Sequence, residues 1–296
     1  MKTLADFWRQ LRKHKLSYSL ILPALLIACG VILYPVIYAI DISFHETVFL
    51  NKGAFAGLKH YLTFIQSPQG IKNLANTFIL VIGSLALTLP IGLGLALILN
   101  ERIRFRAVFR LLLILPWVVS QVVAALVWSW LLNPQFGVVR LVTDLMGLMP
   151  IDFVGDVSTA MPTLILINTW RTFPFAMLLL LAALQTVPEE MYEAACVDGA
   201  GSFKRFVYVA LPLLKPTLMI TTIILSLAYF NMIDLPLILT GGGPMGATEV
   251  LTVRVYQEAF SFNRLGFGSA IAMIVFALNI VLSLLYIKIL RSERYL

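Results

Sequence analysis

Six stretches of this chain are long and apolar enough to cross a lipid bilayer as α-helices, and this feature constrains the fold more than any other. An α-helix rises 1.5 Å per residue, so about 20 apolar residues span the hydrocarbon core of a bilayer. Only 12% of the residues are charged, whereas a soluble domain carries about 25%. The sequence therefore predicts an all-α membrane protein in which residues 1–296 form one transmembrane domain and residues 75–290 supply the core helices. The six predicted spans are residues 17–40, 75–99, 109–132, 161–186, 216–238 and 269–290.

Lysine and arginine are unevenly distributed among the segments that join the spans. Of the 22 basic residues, fifteen lie on the side of the amino terminus, six lie on the opposite side, and Arg171 lies within a span. Because cytoplasmic segments of membrane proteins carry the excess of basic residues, both termini are predicted to be cytoplasmic. The basic segment 1–16 and the polar segment 187–215 fall on that side. The first span follows a basic segment, as in a signal peptide, but its apolar run is too long for one, which indicates an uncleaved anchor.

The net charge, the cysteines and the histidines point to no other class of protein. A net charge of +7 also occurs in nucleic-acid-binding proteins, but here the basic residues flank apolar spans, so no nucleic-acid partner is expected. Cys29 lies in a span and Cys196 in a polar segment, which gives no disulfide framework. His14, His45 and His60 lack metal-ligand spacing and are predicted to be surface residues, so no metal site is expected.

The polar segment between residues 186 and 216 contains the signals of a short helix. Thr186 and Glu189 have the spacing of a capping box, and Pro188 suits a first helical turn. The sequence therefore predicts a helix over residues 188–198, about 16 Å long, which is long enough to lie in a groove on a partner.

Glycines mark the end of this helix. Gly199 and Gly201 tolerate the left-handed backbone that often follows a helix, so the helix is predicted to end there. Ser202 is expected to begin a second short helix, and Pro212 is expected to end it.

A further pattern in this segment consists of Glu193, Ala194 and Ala195, then Gly199, and then Leu211 and Pro212. Its spacing resembles the EAA loop of the membrane subunits of ABC importers, with Val209 where that pattern has isoleucine. The resemblance implies that residues 187–215 form a coupling loop that docks on a separate ATPase. The alternative is an ordinary amphipathic loop that rests on lipid headgroups. The residues that the resemblance assigns to ATPase coupling are Glu190, Met191, Tyr192, Glu193, Ala194, Ala195, Asp198 and Gly199.

A run of three glycines and a proline follows the fifth predicted span: Gly241, Gly242, Gly243 and Pro244. These residues cannot continue a helix, so the chain is predicted to turn sharply on the outer side. With residues 266–272, this loop looks like the outer loop of membrane subunits in carbohydrate ABC importers of the maltose and glycerol-3-phosphate type. The maltose permease has extra amino-terminal spans and a large outer domain. This chain has neither, so it resembles the compact members of that group.

The resemblance implies the type I ABC importer permease fold, in the cytoplasmic (inner) membrane of a bacterium or archaeon. The implied partners are a homologous second permease subunit, two cytoplasmic ATPase subunits and an extracytoplasmic solute-binding protein. No G-x4-G-K-[ST] phosphate loop is present, so ATP and Mg²⁺ are expected on the ATPases and no cofactor on this chain. The chain is expected to be a transporter subunit, not an enzyme, that imports a sugar or sugar-like solute by alternating access.

Polar side chains within spans are costly in a bilayer and often functional. A sugar needs hydrogen-bonding groups for its hydroxyls and aromatic faces for its C–H surfaces. In the maltose-type relatives that the chain resembles, substrate contacts lie on the equivalent of the fifth span. The alternative for each residue is a hydrogen bond between helices without a ligand. The candidate substrate-binding residues are Gln121, Asn168, Trp170, Ser226, Tyr229, Asn231 and Asp234.

Arg171 is a charged residue within the fourth predicted span. Since an isolated charge at that depth is expensive, a pair with Asp234 is expected, either as a structural contact or as an outer gate. Pro174, which follows closely, is expected to interrupt the helix.

Three alternatives stay open from the sequence. An ion-coupled secondary transporter would carry an internal repeat and a midplane ion site, and neither is clear. An intramembrane enzyme would need paired catalytic groups within the spans, and none is evident. The same architecture could also serve a polyol, glycerol phosphate or another small solute.

Overall fold

A computed structural model describes residues 15–48, 51–101, 103–147 and 151–293 as helices joined by short loops, with one two-stranded hairpin. Most of the predicted basic segment 1–16 lies outside the described residues. In chain order the elements are α1 (Lys15–Ser43), β1 (His45–Val48), β2 (Asn51–Phe55), α2 (Lys59–Gln66), α3 (Pro68–Asn100), α4 (Arg106–Val118), α5 (Gln121–Leu131), α6 (Val138–Leu145), α7 (Val157–Leu184), α8 (Glu189–Val197), α9 (Ser202–Phe230), α10 (Asp234–Thr240), α11 (Leu251–Tyr256) and α12 (Leu265–Glu293).

In the described part of the chain, five helices, α1, α3, α7, α9 and α12, are each long and apolar enough to cross a membrane, and the bent pair α4 and α5, counted as one broken span, makes six. The predicted all-α membrane fold with six spans is therefore confirmed. The second span begins at Pro68, ahead of the predicted residue 75, because Ser67 caps the helix: its Oγ accepts a hydrogen bond of 2.9 Å from the backbone N–H of Gly70.

The third span is not the continuous helix that the sequence predicted over residues 109–132. α4 and α5 are bent by 94° relative to each other. Between them, Val119 is extended and Ser120 is also outside the helical conformation, with ψ 142°. Pro116, in the last turn of α4, cannot donate a backbone hydrogen bond and weakens the helix just before the break. Trp117, near the end of α4, and Gln121, at the start of α5, therefore border one space.

The fifth span also departs from its predicted range of 216–238. It begins at Ser202 and ends at Phe230, and the chain is non-helical for three residues before α10. At the break, the side-chain amide of Asn231 donates 2.8 Å to the carbonyl of Leu227, an acceptor that it shares with its own backbone N–H. A side chain that satisfies the terminal carbonyls of a helix stabilises its end there.

Neither proline acts as predicted. Pro212 does not end the helix that begins at Ser202, because a π-helical turn, Phe206–Ala210, directly precedes it. In that turn Leu211 N–H bonds to Phe206, so the wider spacing accommodates the proline. Pro174 lies inside α7, which continues to Leu184. Membrane helices tolerate proline where neighbouring elements compensate for the missing hydrogen bond.

The most extensive contact between two helices joins α3 and α7. At the crossing, a Cβ on Gly92 would stand 2.8 Å from Ala176 Cβ and 3.0 Å from the backbone nitrogen of Met177. Only glycine permits this approach, which is the usual basis of tight packing between membrane helices.

The bundle has two distinct ends. At one, which we call the hairpin end, the β1–β2 hairpin, α2 and the loop before α11 surround the start of α3. His45 and His60 lie there half-buried and not on the surface as predicted: His45 Nδ1 is 2.7 Å from Asp41 O, and His60 Nε2 is 3.1 Å from His45 O. At the other, the α8 end, α8 and the start of α9 border the ends of α3 and α7.

Candidate functional site: a polar cavity and an exposed helix

A cavity of 240 Å³ lies between the α4–α5 break, α7 and α9. The break contributes an aromatic and an amide side chain, α7 contributes a cation, and α9 contributes a phenol. Hydrogen-bonding groups and aromatic faces are therefore mixed around one space. The residues that line it are Trp117, Gln121, Arg171, Thr172, Phe175, Ile224, Leu225, Ala228, Tyr229 and Met232.

Tyr229 sits on the wall of this cavity in a buried chain of hydroxyl groups. Its hydroxyl lies 2.6 Å from Thr172 Oγ1 and 3.1 Å from Thr88 Oγ1. Thr172 donates its own proton to the carbonyl of Asn168 at 2.6 Å. The Tyr229 hydroxyl must therefore donate to Thr172, while Thr88 donates to Tyr229. This chain ties α3, α7 and α9 together at the level of the cavity.

Arg171 contributes a cation to the same wall. Its Nε is buried without a hydrogen-bond partner, and within the described residues no carboxylate lies within 4 Å of it. The expected ion pair with Asp234 is therefore not formed. The reason is the helix break after Phe230, which places Asp234 in the first turn of α10.

Of the seven predicted substrate-binding residues, the structure places Gln121 and Tyr229 on the cavity wall. Gln121 begins α5, and its Nε2 is buried without a partner. Asn168 is fully buried one turn from Thr172, and neither polar atom of its side chain has a partner. Trp170 packs edge-on against Trp128 with the ring centroids 5.5 Å apart.

The remaining predicted residues on α9 face a different neighbour. Ser226 accepts a hydrogen bond of 2.8 Å from the hydroxyl of Tyr286 on α12. Asn231 and Asn279, also on α12, pair through their side-chain amides at 3.2 Å and 3.3 Å. These two contacts are the interhelical hydrogen bonds that the sequence left open as an alternative to ligand binding.

A larger cavity of 650 Å³ lies on that side of α9, between it and α12. Its wall is mostly apolar, and the amides of Asn231 and Asn279 already satisfy each other. The smaller cavity, with its unpartnered Gln121 and Arg171, has more capacity to bind a polar solute. We therefore take the smaller cavity as the candidate solute site.

Sequence reasoning missed Trp117, Thr172 and Phe175, and it assigned Arg171 to an ion pair. The spacing of three of these residues in the sequence could have placed them together. Arg171, Thr172 and Phe175 are spaced i, i+1 and i+4, so they share a face of α7, and that face points to the cavity. Trp117 depends on the helix break, which no apolar pattern reveals.

The helix α8, which lies at the α8 end of the bundle and away from the cavity, has an exposed face. Met191 is 43% exposed and Val197 is 88% exposed. Glu190, Glu193, Ala194 and Asp198 are exposed as well, while Tyr192 and Ala195 are half-buried against the body. Burial, and secondarily the carboxylate of Glu101, raise the pKa of Tyr192 above its ordinary value. A short helix thus stands on the surface with one side free.

The two ends of α8 form differently. The predicted capping box is absent: Pro188 occupies the N-cap, and Thr186 Oγ1 instead donates 2.8 Å to Ala183 O. The predicted end at Gly199 is confirmed by a φ of +76° and by Ala200 N–H, which donates 2.9 Å to Ala195 O. Gly201, with φ −67°, is not left-handed.

The glycine-rich loop at the hairpin end makes the predicted sharp turn. Gly241 and Gly242 have φ of +60° and +88°, and the Gly243–Pro244 peptide is cis. The loop is then held against α3: Asn73 Nδ2 donates 2.8 Å to Glu249 O, and Lys72 Nζ donates 2.7 Å to Met245 O. The tip of the loop, Met245, is 87% exposed.

A buried carboxylate supports the same end. Glu258 is inaccessible to solvent and lies 2.6 Å from an Arg254 nitrogen and 2.9 Å from an Arg264 nitrogen. Burial raises the pKa of Glu258, and the two arginines oppose that effect. Arg254 also contacts Glu249 at 3.1 Å. Within the described residues, no cluster of three or more metal-ligating side chains occurs.

Comparison with known proteins decides the family. Residues 88–294, more than half of the chain, match the family of the binding-protein-dependent transport system inner membrane component. The chain belongs to this family. It is 34% identical over 284 residues to the trehalose/maltose transport system permease protein MalF of Thermococcus litoralis, with 96% of each chain covered.

Two further relatives of this permease have similar coverage. The sulfoquinovosyl glycerol transport system permease protein SmoG of Agrobacterium fabrum is 33% identical, over 97% of this chain and 94% of its own. The trehalose transport system permease protein SugA of Mycobacterium tuberculosis is 30% identical, over 95% and 90%. The resemblance drawn from the EAA loop and the outer loop is thus confirmed.

The fold of the permease matches solved structures closely. A bacterial ABC transporter that imports the acidic polysaccharide alginate superposes with a TM-score of 0.85 at 24% identity, covering 97% of this chain and 99% of that chain. A second alginate transporter structure, in complex with its pentasaccharide-bound periplasmic protein, superposes with a TM-score of 0.82. The predicted permease fold is confirmed. The permease is a transport component of an inner membrane system and not an enzyme.

Proposed function

We propose that the permease forms one half of a pathway that imports a sugar or sugar-like solute, and that the cavity between the α4–α5 break, α7 and α9 is its solute site. The chemistry of the cavity wall supports this proposal. Gln121 and Arg171 have unpartnered nitrogen donors, and Trp117 and Phe175 offer aromatic faces. By their names, MalF belongs to a trehalose/maltose transport system, SugA to a trehalose transport system and SmoG to a sulfoquinovosyl glycerol transport system.

The exposed face of α8 supports the proposal that separate ATPases drive this pathway. A nine-residue helix whose exposed side carries small, acidic and apolar residues suits a groove on a partner protein. In this mechanism, loaded binding protein docks at the hairpin end, ATP binding closes two ATPase subunits at the α8 end, and the cavity opens outward. A second, homologous permease supplies the other half. The amino terminus and the α8 end lie in the cytoplasm.

The test of the solute site compares one variant in the cavity with one outside it. Gln121→Ala removes an unpartnered donor, and a lost hydrogen bond to a solute hydroxyl costs about 1 kcal/mol, or several-fold in rate. We expect sugar-stimulated ATPase activity and uptake to fall several-fold in the reconstituted complex, with trehalose and maltose as probes. Sugar binding to the separate binding protein stays unchanged. Asn279→Ala, in the larger cavity, is the matched control and should transport normally.

Other outcomes for these two variants would place the solute site elsewhere. Normal transport by Gln121→Ala together with a defect in Asn279→Ala would move the solute site to the groove between α9 and α12. Defects in both would mean that the two cavities open into one pathway, and normal transport by both would place the site on the second permease.

Arg171 favours one alternative solute class, in which the sugar or polyol carries an anionic group such as a phosphate. A half-buried cation with no carboxylate within 4 Å in the described part of the chain is stabilised by an anion. Arg171→Gln should then abolish uptake of glycerol 3-phosphate or a sulfonated glycoside while leaving trehalose uptake within a few-fold of wild type. If trehalose is the solute and anionic probes are not transported by the wild type, this alternative is excluded.

A further inference from the structure

A second basic pocket lies at the α8 end, separate from the solute cavity. It has a volume of 530 Å³ and is formed where the first two turns of α4 pass the end of α7. Its polar wall consists of Arg106, Arg110 and Gln185, and its apolar wall includes Leu111 and Ile114. Neither arginine forms an ion pair in the described part of the chain.

The two guanidinium groups lack the partners that half-buried charges normally have. Nε and one Nη of Arg106, and Nε of Arg110, are buried without a hydrogen bond. The residues are also four positions apart on one helix, where like charges repel each other. The first turn of α4 has no acidic residue to compensate the positive end of the helix dipole. All three effects are unfavourable until an anion occupies the pocket.

The order of residues along α4 matches the order of groups in a phospholipid. The arginines stand at the level of the α8 end, and the next two turns toward the membrane centre are apolar and open, with Leu111 66% and Leu115 54% exposed. A phosphate between the arginines would therefore have acyl chains beside Leu111 and Leu115. A free anion would use only the arginines, and a protein partner would not require this sequence of charge and then apolar surface.

We propose that Arg106 and Arg110 bind the phosphate headgroup of an anionic phospholipid in the cytoplasmic leaflet, with Gln185 as a third donor. This proposal rests on the cytoplasmic orientation of the α8 end, since basic residues beside spans attract anionic lipids there. Gln185 is the residue that directly follows α7, four positions before α8. A bound lipid would therefore contact both α4 and the segment between α7 and α8, and would hold the two together.

The test uses the full complex with its second permease and ATPases, purified in detergent and supplied with phosphatidylglycerol or phosphatidylcholine. Native mass spectrometry counts the lipid molecules that stay bound. The variant Arg106→Gln/Arg110→Gln should retain at least fivefold less phosphatidylglycerol than the wild type, and Arg106→Lys/Arg110→Lys should retain an intermediate amount. The control Arg104→Gln removes one exposed charge in the same segment and should retain as much as the wild type.

Four outcomes are distinguishable. Loss of phosphatidylglycerol in the double glutamine variant alone, with an intact complex on size exclusion, supports the lipid site. Equal retention by wild type and double variant overturns it. Displacement of the lipid by excess inorganic phosphate would show a small-anion site, and dissociation of the second permease without a change in bound lipid would show a subunit interface. Because lipid is counted in detergent and without sugar, a failure here is independent of a failure of the proposed transport function.

Discussion

Tyr229 holds the central position in a buried chain of hydroxyls that joins three helices. Thr88 lies on α3, Thr172 on α7 and Tyr229 on α9, and the phenol also faces the candidate solute cavity. A buried hydrogen bond contributes about 1 kcal/mol to stability. One side chain therefore serves both the packing of the bundle and the surface offered to a solute.

The role of the Tyr229 hydroxyl in transport can be measured against a control, the hydroxyl of Tyr286. Tyr229→Phe and Tyr286→Phe each remove one hydroxyl, and each should lower the stability of the purified protein by about 1 kcal/mol. Tyr286 bonds to Ser226 on the α12 side of α9, away from the cavity. We expect only Tyr229→Phe to reduce sugar uptake. Equal uptake by the two variants would mean that Tyr229 is a packing residue alone.

At the scale of single residues, the sequence selected polar side chains in apolar spans but not the neighbour that each of them meets. Tyr229 and Gln121, which line the cavity, were selected because polar groups in an apolar span are costly. Asn231 and Ser226 were selected by the same criterion, but they bond to α12, because the direction of a side chain depends on helix rotation. Arg171 lacks its expected partner because the break after Phe230 moved Asp234 to another helix.

At the scale of elements, apolar length predicted the existence of the spans but not their interruptions. The bend between α4 and α5, the π-helical turn before Pro212 and the end of α9 at Phe230 each depend on local hydrogen bonds. These are also the features that shape the cavity. Its position was therefore predictable from the sequence only as far as the helices that border it.

The crossing of α3 and α7 gives a prediction about packing. Gly92→Val places a branched side chain where a Cβ already meets Ala176 at 2.8 Å, whereas a Cβ on Gly94, on the same helix, has nothing within 4 Å. Overpacking of this kind costs about 1–3 kcal/mol. We expect Gly92→Val to lower the melting temperature and the yield of assembled complex, with Gly94→Val close to wild type. Similar behaviour of both variants would contradict the close approach of the two helices.

The end of α8 gives a prediction about coupling. Gly199 has φ +76°, which a β-branched residue tolerates poorly, while Gly201 has φ −67°, and neither would meet another atom through an added Cβ. Gly199→Val should uncouple sugar transport from ATP hydrolysis while the spans still insert. Gly199→Asn, which accepts the left-handed conformation, should retain much of the coupling. Gly201→Val is the control, and its failure instead of Gly199→Val would show that α8 does not end as described.

At the scale of the whole molecule, the charge asymmetry and the fold together give an orientation that can be measured. Met245 at the hairpin end and Phe203 at the α8 end are both well exposed, at 87% and 78%. In a background without Cys29 and Cys196, Met245→Cys should react in intact cells with a membrane-impermeant maleimide, and Phe203→Cys should react only after lysis. The reverse pattern would invert the proposed topology.

We propose that this permease carries a sugar only as part of an ATP-driven assembly that includes a binding protein. The direct measurement is uptake of radiolabelled trehalose or maltose into proteoliposomes that contain the permease, its sister permease and the ATPases. We expect accumulation only when ATP is present on the α8 side and loaded binding protein is present on the hairpin side. Uptake by the permease alone under an ion gradient, or uptake that persists without ATP and binding protein, would contradict it.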